Sequence, residues 1–418
     1  MDRNSGRPPR IFQWSIGLQR ELTQNLVIEA AYVGNRGVWW TAPLLSTEAY
    51  NTLTPDYLKT NFGLDINNPA DRALLATRIN SPLVIQRFPS LANAASVYPG
   101  FPATQNLNQA LRPYPQWTGV PPFLGPPLGV TWYDSLQAKV TKRLSHGLNV
   151  DSAFTWQKEL NLGAGADTSY LTPGPNLMND VFNRNQNKQI SAFSRPFMLV
   201  VSFRYTTPRI AANGAGMRTL AWVARDWNFA GVLRYQSGQV IRVPGSNNSL
   251  TRQLARTDNP ATFGGATTFW NRVPGQKLLN FDPNCKCFDP TTQLVLNPAA
   301  WTDAPAGTWG TSAAYYNDYR WQRQPAESLS LGRTFVAKER FKFDVRAEFF
   351  NVFNRLFLAN PIPVAASSSP FGVGSVNPAT PTVRIPTGAL SGGYGFVNTF
   401  NGNGSQPRTG QIVGRFSF

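Results

Sequence analysis

The 418 residues offer little of the histidine and cysteine chemistry on which many active sites are built. The chain holds one histidine, His146, and two cysteines, Cys285 and Cys287. Any Ser-His-Asp or Cys-His arrangement would have to use His146, and "RLSHGL" reads as a tight turn rather than a site. Cys285 and Cys287 lie in "NCKCFDP", a loop rich in Pro and Asn, where a loop disulfide and two free thiols are both open. One histidine without a second cysteine pair leaves zinc short of ligands. No glycine motif of the phosphate- or dinucleotide-binding kind occurs either. The expectation is a protein without catalytic, cofactor-binding or metal residues, and not an enzyme. What stands out instead is "WTDAPAGTWGTSAAYYNDYRWQRQP", which gathers Trp301, Trp309, Tyr315, Tyr316, Tyr319, Arg320 and Trp321. Rings flanked by a guanidinium can stack on a sugar or another flat ligand. The same cluster also fits a self-packed loop beside a girdle of aromatics.

Composition narrows what could position such a cluster. Gly and Pro stand at 34 each and aromatics at 12%, which favours many strands joined by turns. Charged residues are only 15%, against a usual share of about 25% in globular proteins. The formal net charge is +17, yet Lys and Arg are scattered singly, so a nucleic-acid partner is not expected. No run of 18 apolar residues marks a transmembrane helix. "MDRNSGRPPR" has no apolar signal-peptide core.

Short alternating segments recur along the chain. "RIFQWSIGLQREL" sets Phe12, Trp14, Ile16 and Leu18 on one face, and "LVIEAAYVGNRG" returns with Leu26, Ile28, Ala30 and Tyr32. "YDSLQAKVTKRLSHGLNVDSAFTWQKE" repeats the pattern across Ser145-His146-Gly147. "RPFMLVVSFRYTTP" and "RDWNFAGVLRYQSG" follow, each with aromatics at its ends. In "RFKFDVRAEFF", Phe341, Phe343, Val345, Ala347 and Phe349 oppose Lys342, Asp344, Arg346 and Glu348. Four charges in a row on one face cannot occupy a dry core without partners. The last segment, "GQIVGRFSF", puts Ile412, Gly414, Phe416 and Phe418 together.

Two all-β readings compete. A soluble sandwich hides its apolar face, whereas a membrane barrel turns that face outward around a polar lumen, with aromatics at both strand ends. Trp14, Tyr32, Trp156, Tyr205, Trp227 and Tyr235 stand near segment ends, and segments of roughly 10 residues suit a tilted membrane strand. Connections also alternate in length. Those at 21–24, 145–147, 207–225 and 337–340 are short or moderate; 35–130, 158–194, 237–327 and 352–408 are long. Short periplasmic turns and long extracellular loops produce this asymmetry. The expectation is an all-β, antiparallel transmembrane β-barrel, partial at about nine strands, with long extracellular loops.

Several blocks, in order, carry a family likeness. "NSGRPPRIFQWSIGLQRELTQNLVIEAAYVGNRG", "YDSLQAKVTKRLSHGLNVDSAFTWQKEL", "YQSGQVIRVPG", "LNPAAWTDAPAGTWG" and "RFKFDVRAEFFNVFNRLF" resemble the carboxy-terminal part of a TonB-dependent receptor of the Oar-like group. Members of that group often carry a carboxypeptidase-regulatory-like domain at the amino terminus. The resemblance implies a plugged barrel of about 22 strands in the outer membrane of a Gram-negative cell, importing a bulky ligand. It implies outer-membrane lipid and the barrel-assembly machinery as partners, with Phe416 and Phe418 in the place of the assembly signal. TonB would be reached only through an amino-terminal part. Residues 1–418 would then be the carboxy-terminal portion of the barrel, a fragment, with plug and amino-terminal domains absent. The rival readings are an outer-membrane structural or adhesion protein without coupled transport, and a soluble carbohydrate-binding protein with aromatic platforms.

Overall fold

A computed structural model describes residues 6–40, 42, 51, 53–117, 127–163, 179, 183–209, 211, 213–246, 268–285, 287–305, 308–337, 341–363, 390, 392–399 and 407–417. Its main element is an antiparallel sheet in which each strand pairs with the next along the sheet. The strands are β1 (Arg10–Thr23), β2 (Leu26–Trp40), β3 (Gly129–Ser145), β4 (Leu148–Leu162), β6 (Phe197–Thr206), β7 (Trp227–Gln236), β12 (Ala326–Ala337), β13 (Phe341–Phe350) and β14 (Thr409–Ser417). Short β5 (Lys188–Ile190) joins the far end of β4. The nine-strand path matches the sequence reading. Strand lengths do not: they run from 9 to 17 residues rather than about 10. The longest are the four strands of the first two hairpins, at 14 to 17 residues.

Turns decide the pairing. Between β3 and β4, His146 and Gly147 both take positive φ, 50° and 78°, as a two-residue turn between twisted strands requires. His146 is thus a turn residue, as its sequence context suggests. A Cβ on Gly147 would lie 2.3 Å from the Thr206 carbonyl oxygen, so glycine is required there twice over.

Register then aligns the faces. Directly opposed residues of antiparallel strands share a face, and Ile16, Tyr32, Leu136, Trp156 and Phe197 form one continuous row over five strands. Phe335, Phe343 and Phe416 form another. These side chains are not covered by protein. Leu18 is 80% exposed and Ile412 82% exposed, and Phe12, Trp14, Trp156, Phe197 and Phe416 are exposed as well. An apolar surface this wide is untenable in water and normal in lipid.

The opposite face is polar and pairs internally. Arg346 Nε lies 2.7 Å from Glu348 Oε1 and its Nη1 lies 3.9 Å from Asp344 Oδ2. Thr334 donates to Asp344, and Gln411 donates to Glu348 from the next strand. The apolar cores of the molecule lie elsewhere, in the long connections. Leu53, Leu58, Leu64, Leu75, Ile79, Val84 and Leu107 pack in a small helical unit within 41–128. A second core joins Ile190, Val240, Ile241, Val243, Phe269, Leu296, Trp301, Tyr319 and Trp321 with Tyr394 and Val397. The connection between β6 and β7, expected as a plain loop, contains the helix Ala215–Ala224.

Two outcomes test this arrangement in the membrane-embedded protein. Gly147→Val forces a β-branched residue into positive φ and should cost about 2 kcal/mol or more, read as a lower urea midpoint. Ala347→Arg places a cation between Leu331 and Ile412 and should cost about 2–4 kcal/mol near the bilayer midplane, whereas Glu348→Arg on the polar face should cost clearly less.

Candidate functional site

The aromatic cluster singled out in the sequence is brought together, but mostly as a core. It belongs to the loop unit after β7. There β8 (Val240–Arg242) pairs with β11 (Tyr315–Arg320), and β9 (Asn271–Arg272) pairs with β10 (Trp301–Thr302). Trp301, Tyr315, Tyr319 and Trp321 are 4%, 7%, 0% and 3% exposed. Their rings pack on one another: Trp301 and Tyr319 centroids are 5.4 Å apart, and Trp301 and Tyr316 centroids 6.3 Å. The Trp321 indole N–H donates to the Leu358 carbonyl at 3.0 Å. Four of the seven rings and cations therefore offer no open stacking surface.

The other three are placed differently. Trp309 packs against the helical unit of the first long loop. Tyr316 is half-buried, with the Arg272 guanidinium 5.1 Å from its ring centre; Arg272 is itself bidentate on Asp318, at 3.2 and 2.6 Å. That carboxylate raises the Arg272 pKa, the hydrogen bond being the leading cause. Arg320 acts as a clamp. Nε donates to Asn317 O, Nη1 to Ser194 O and Gly238 O, and Nη2 to Ser194 Oγ and Asn317 Oδ1, at 2.7–3.3 Å. A guanidinium has five N–H groups, and five acceptors surround this one. Burial, with Arg195 nearby, pushes its pKa down to about 10.

Residues that sequence reasoning passed over hold the loops in place. Asn179 donates to the Gly310 and Ser312 carbonyls at 2.6 and 2.8 Å, and its own N–H donates to Asn187 at 2.6 Å. Asn51, 1% exposed, bonds Tyr114 and Trp117 across the first loop. Tyr394 shares a 2.8 Å hydroxyl contact with buried Tyr319, and burial raises both phenol pKa values. Glu327, fully buried, receives Arg355 at 2.9 Å where β13 gives way to its loop. Asn and Tyr in loops carry no sequence signal of such roles, because most of their partners lie far along the chain. Cys285 and Cys287, open between two states in the sequence, are joined as a disulfide.

A cleft beside the cluster measures about 560 Å³. Tyr316 and Asn317 wall it on one side; on the other, Asp134, Trp156, Lys158 and Lys188 share the face of Tyr32 and Leu136, so it opens on the outer side of the wall at its loop end. Charged and aromatic groups meet there where the apolar face gives way to the loops. Among the described residues no three metal-ligating side chains cluster. Phe416 stands on the apolar face opposite Phe343, and Phe418 lies outside the described residues.

A family model, the outer membrane beta barrel domain, matches residues 1–385. Among solved structures, the chain is similar to the outer-membrane transporter YddB from Escherichia coli. Identity is 9% and the TM-score 0.36, over 97% of this chain and 33% of that one. It is also similar to the ferripyoverdine receptor of Pseudomonas aeruginosa, at 10% identity and a TM-score of 0.30, over 85% of this chain and 24% of that one. The chain thus spans about a third of the first structure's length. No curated protein matches it. The chain belongs to the outer membrane β-barrel domain family, and its place is the cell outer membrane.

Arg320→Ala would strip five acceptors of their donor, and Arg320→Lys would restore at most three. The alanine variant should lower loop-unit stability by about 2 kcal/mol. Limited proteolysis should then cut within 237–325 sooner, while the sheet keeps its resistance.

Proposed function

We propose that this outer-membrane β-barrel domain is the carboxy-terminal wall of a TonB-dependent receptor of the Oar-like group, taking up a bulky ligand. The ordered sequence blocks described above support the TonB-dependent reading. One observation of the structure carries the rest: among the described residues, nine membrane strands run as an open path whose edges, β1 and β14, each have a single neighbour. An unpaired backbone group in hydrocarbon costs several kcal/mol, so both edges call for further strands. A barrel completed by other strands is wide enough for a plugged lumen of the transporter type.

The long connections and the short turns fall at opposite ends of the sheet, which puts the two loop units outside the cell and the turns in the periplasm. In this reading the ligand first meets the loop units. Tyr316 is an accessible ring of the aromatic cluster, and Trp301, Tyr315, Tyr319 and Trp321 give its surroundings their rigidity. TonB acts through an amino-terminal part, and Phe416 with Phe418 addresses the strand to the barrel-assembly machinery. An outer-membrane structural or adhesion protein would use the same wall without coupled uptake. A plug and TonB box encoded immediately upstream of Met1 favour transport; their absence there favours the rival.

Expressed alone behind a signal peptide, residues 1–418 should aggregate or be degraded rather than yield a heat-modifiable, protease-resistant barrel. A stable monomeric barrel that takes up ligand would refute the proposal. Within a complete barrel, deletion of Phe418 should reduce the assembled amount in the outer membrane; unchanged assembly at native expression would count against the signal role.

A further inference from the structure

Arg333 stands on the apolar face, between Leu331 and Phe335 and opposite Val345 and Trp227. Facing lipid, a cation costs up to about 2–4 kcal/mol. Here it is 5% exposed, because the helix Ala215–Ala224 lies over it on the outside of the sheet. The guanidinium sits 4.6 Å from the Trp222 ring centre and 4.8 Å from that of Phe335. It donates to the Trp222 and Val223 carbonyls at the end of the helix. A helix leaves its last four carbonyls unpaired and its C-terminus partly negative, so a cation there satisfies both. All four are met: Ala221 O by the Arg225 N–H, Trp222 O by Arg333, Val223 O by Arg333 and the Trp227 indole, and Ala224 O by the Thr207 hydroxyl.

The helix is therefore pinned to the sheet at one end, yet no residue in it is buried. Met217, Leu220 and Val223, spaced to share one side, are 58%, 64% and 49% exposed, and Trp222 is 49% exposed. Trp222 also touches the belt, its ring centre 6.5 Å from that of Phe335. The apolar surface of the helix is thus continuous with the lipid-facing belt. Its polar surroundings are cationic: Arg209, Arg218 and Arg225 against the single carboxylate of Asp226, which takes Arg209 at 2.9 Å and Arg225 at 3.4 Å.

We propose that this helix lies flat in the phospholipid leaflet at the turn end of the barrel. Met217, Leu220 and Val223 enter the acyl region, while Arg218 and its neighbours meet anionic headgroup phosphates. An amphipathic helix of this kind sinks about 5–10 Å into the boundary between headgroups and chains. Trp222 and Trp227 stand where indoles collect. A protein partner on this surface would have to displace the lipid that surrounds the belt, which makes lipid itself the occupant. The leaflet is the periplasmic one, a point that rests on the orientation proposed above; contact with lipid rests only on the outer-membrane belt.

Nitroxide labels test the placement. Met217→Cys, Leu220→Cys and Val223→Cys, each with Cys285 and Cys287 changed to Ser, are labelled in the complete barrel. The barrel is reconstituted with phosphatidylethanolamine and phosphatidylglycerol. Phe229→Cys on the belt and Gln137→Cys on the polar face serve as references. The helix positions should show an oxygen-to-nickel accessibility ratio several-fold above that at 137 and approaching that at 229. Leu220→Asp should return the 217 label to the value at 137. A water-like ratio at all three helix positions beside a lipid-like 229 overturns the helix placement alone. Exclusion of both relaxers would overturn it in favour of a protein partner. A water-like 229 overturns the belt assignment and the helix with it.

Discussion

Hydrocarbon cannot hydrogen-bond a peptide group, and the rest of this structure depends on that constraint. Each strand of the main path must give its N–H and C=O groups to a neighbour, so the chain returns on itself from β1 to β14 without a crossover. The same solvent demands apolar side chains on one face only. Registers that align Tyr32, Leu136, Trp156 and Phe197 supply that face while leaving Asp344, Arg346 and Glu348 to pair on the other. The hydrophobic effect that packs an ordinary core acts here between the sheet and lipid, not within the sheet.

Consequently the chain builds its cores in its loops. The helical unit around Leu58 and Leu75 and the aromatic unit around Trp301 and Tyr319 obey the rules of small water-soluble folds. Both are buried-apolar, and both are tied by side chains such as Asn51, Asn179 and Arg320 that satisfy backbone groups from distant segments. Rigid loop units at one end suit recognition, because a surface that is already ordered loses little entropy on binding. The Glu327–Arg355 pair fixes the point where the wall hands over to the loops.

The outer surface is not uniform. Arg333 introduces a charge on the lipid side and is reconciled with it by the helix carbonyls and the rings of Trp222 and Phe335. A residue that would be an error on a bare barrel is here the dock for an accessory element.

By itself, the sequence determined the number of wall strands, their direction and which face is apolar. Those follow from a period of two and from turn residues such as His146-Gly147, both local properties of the chain. Phe343, Val345 and Ala347 against Lys342, Asp344 and Arg346 was legible without coordinates because lipid and water sort side chains one residue at a time. What only the tertiary structure decided was non-local. The seven-residue aromatic cluster read as a stacking surface or, with more weight, as a girdle beside a self-packed loop, and only the contacts of Trp301, Tyr319 and Trp321 with segments far along the chain showed most of it buried. The helix Ala215–Ala224 escaped notice for a related reason: none of its residues is buried, and what holds it, chiefly Arg333 more than a hundred residues away, is not visible in its own stretch of sequence.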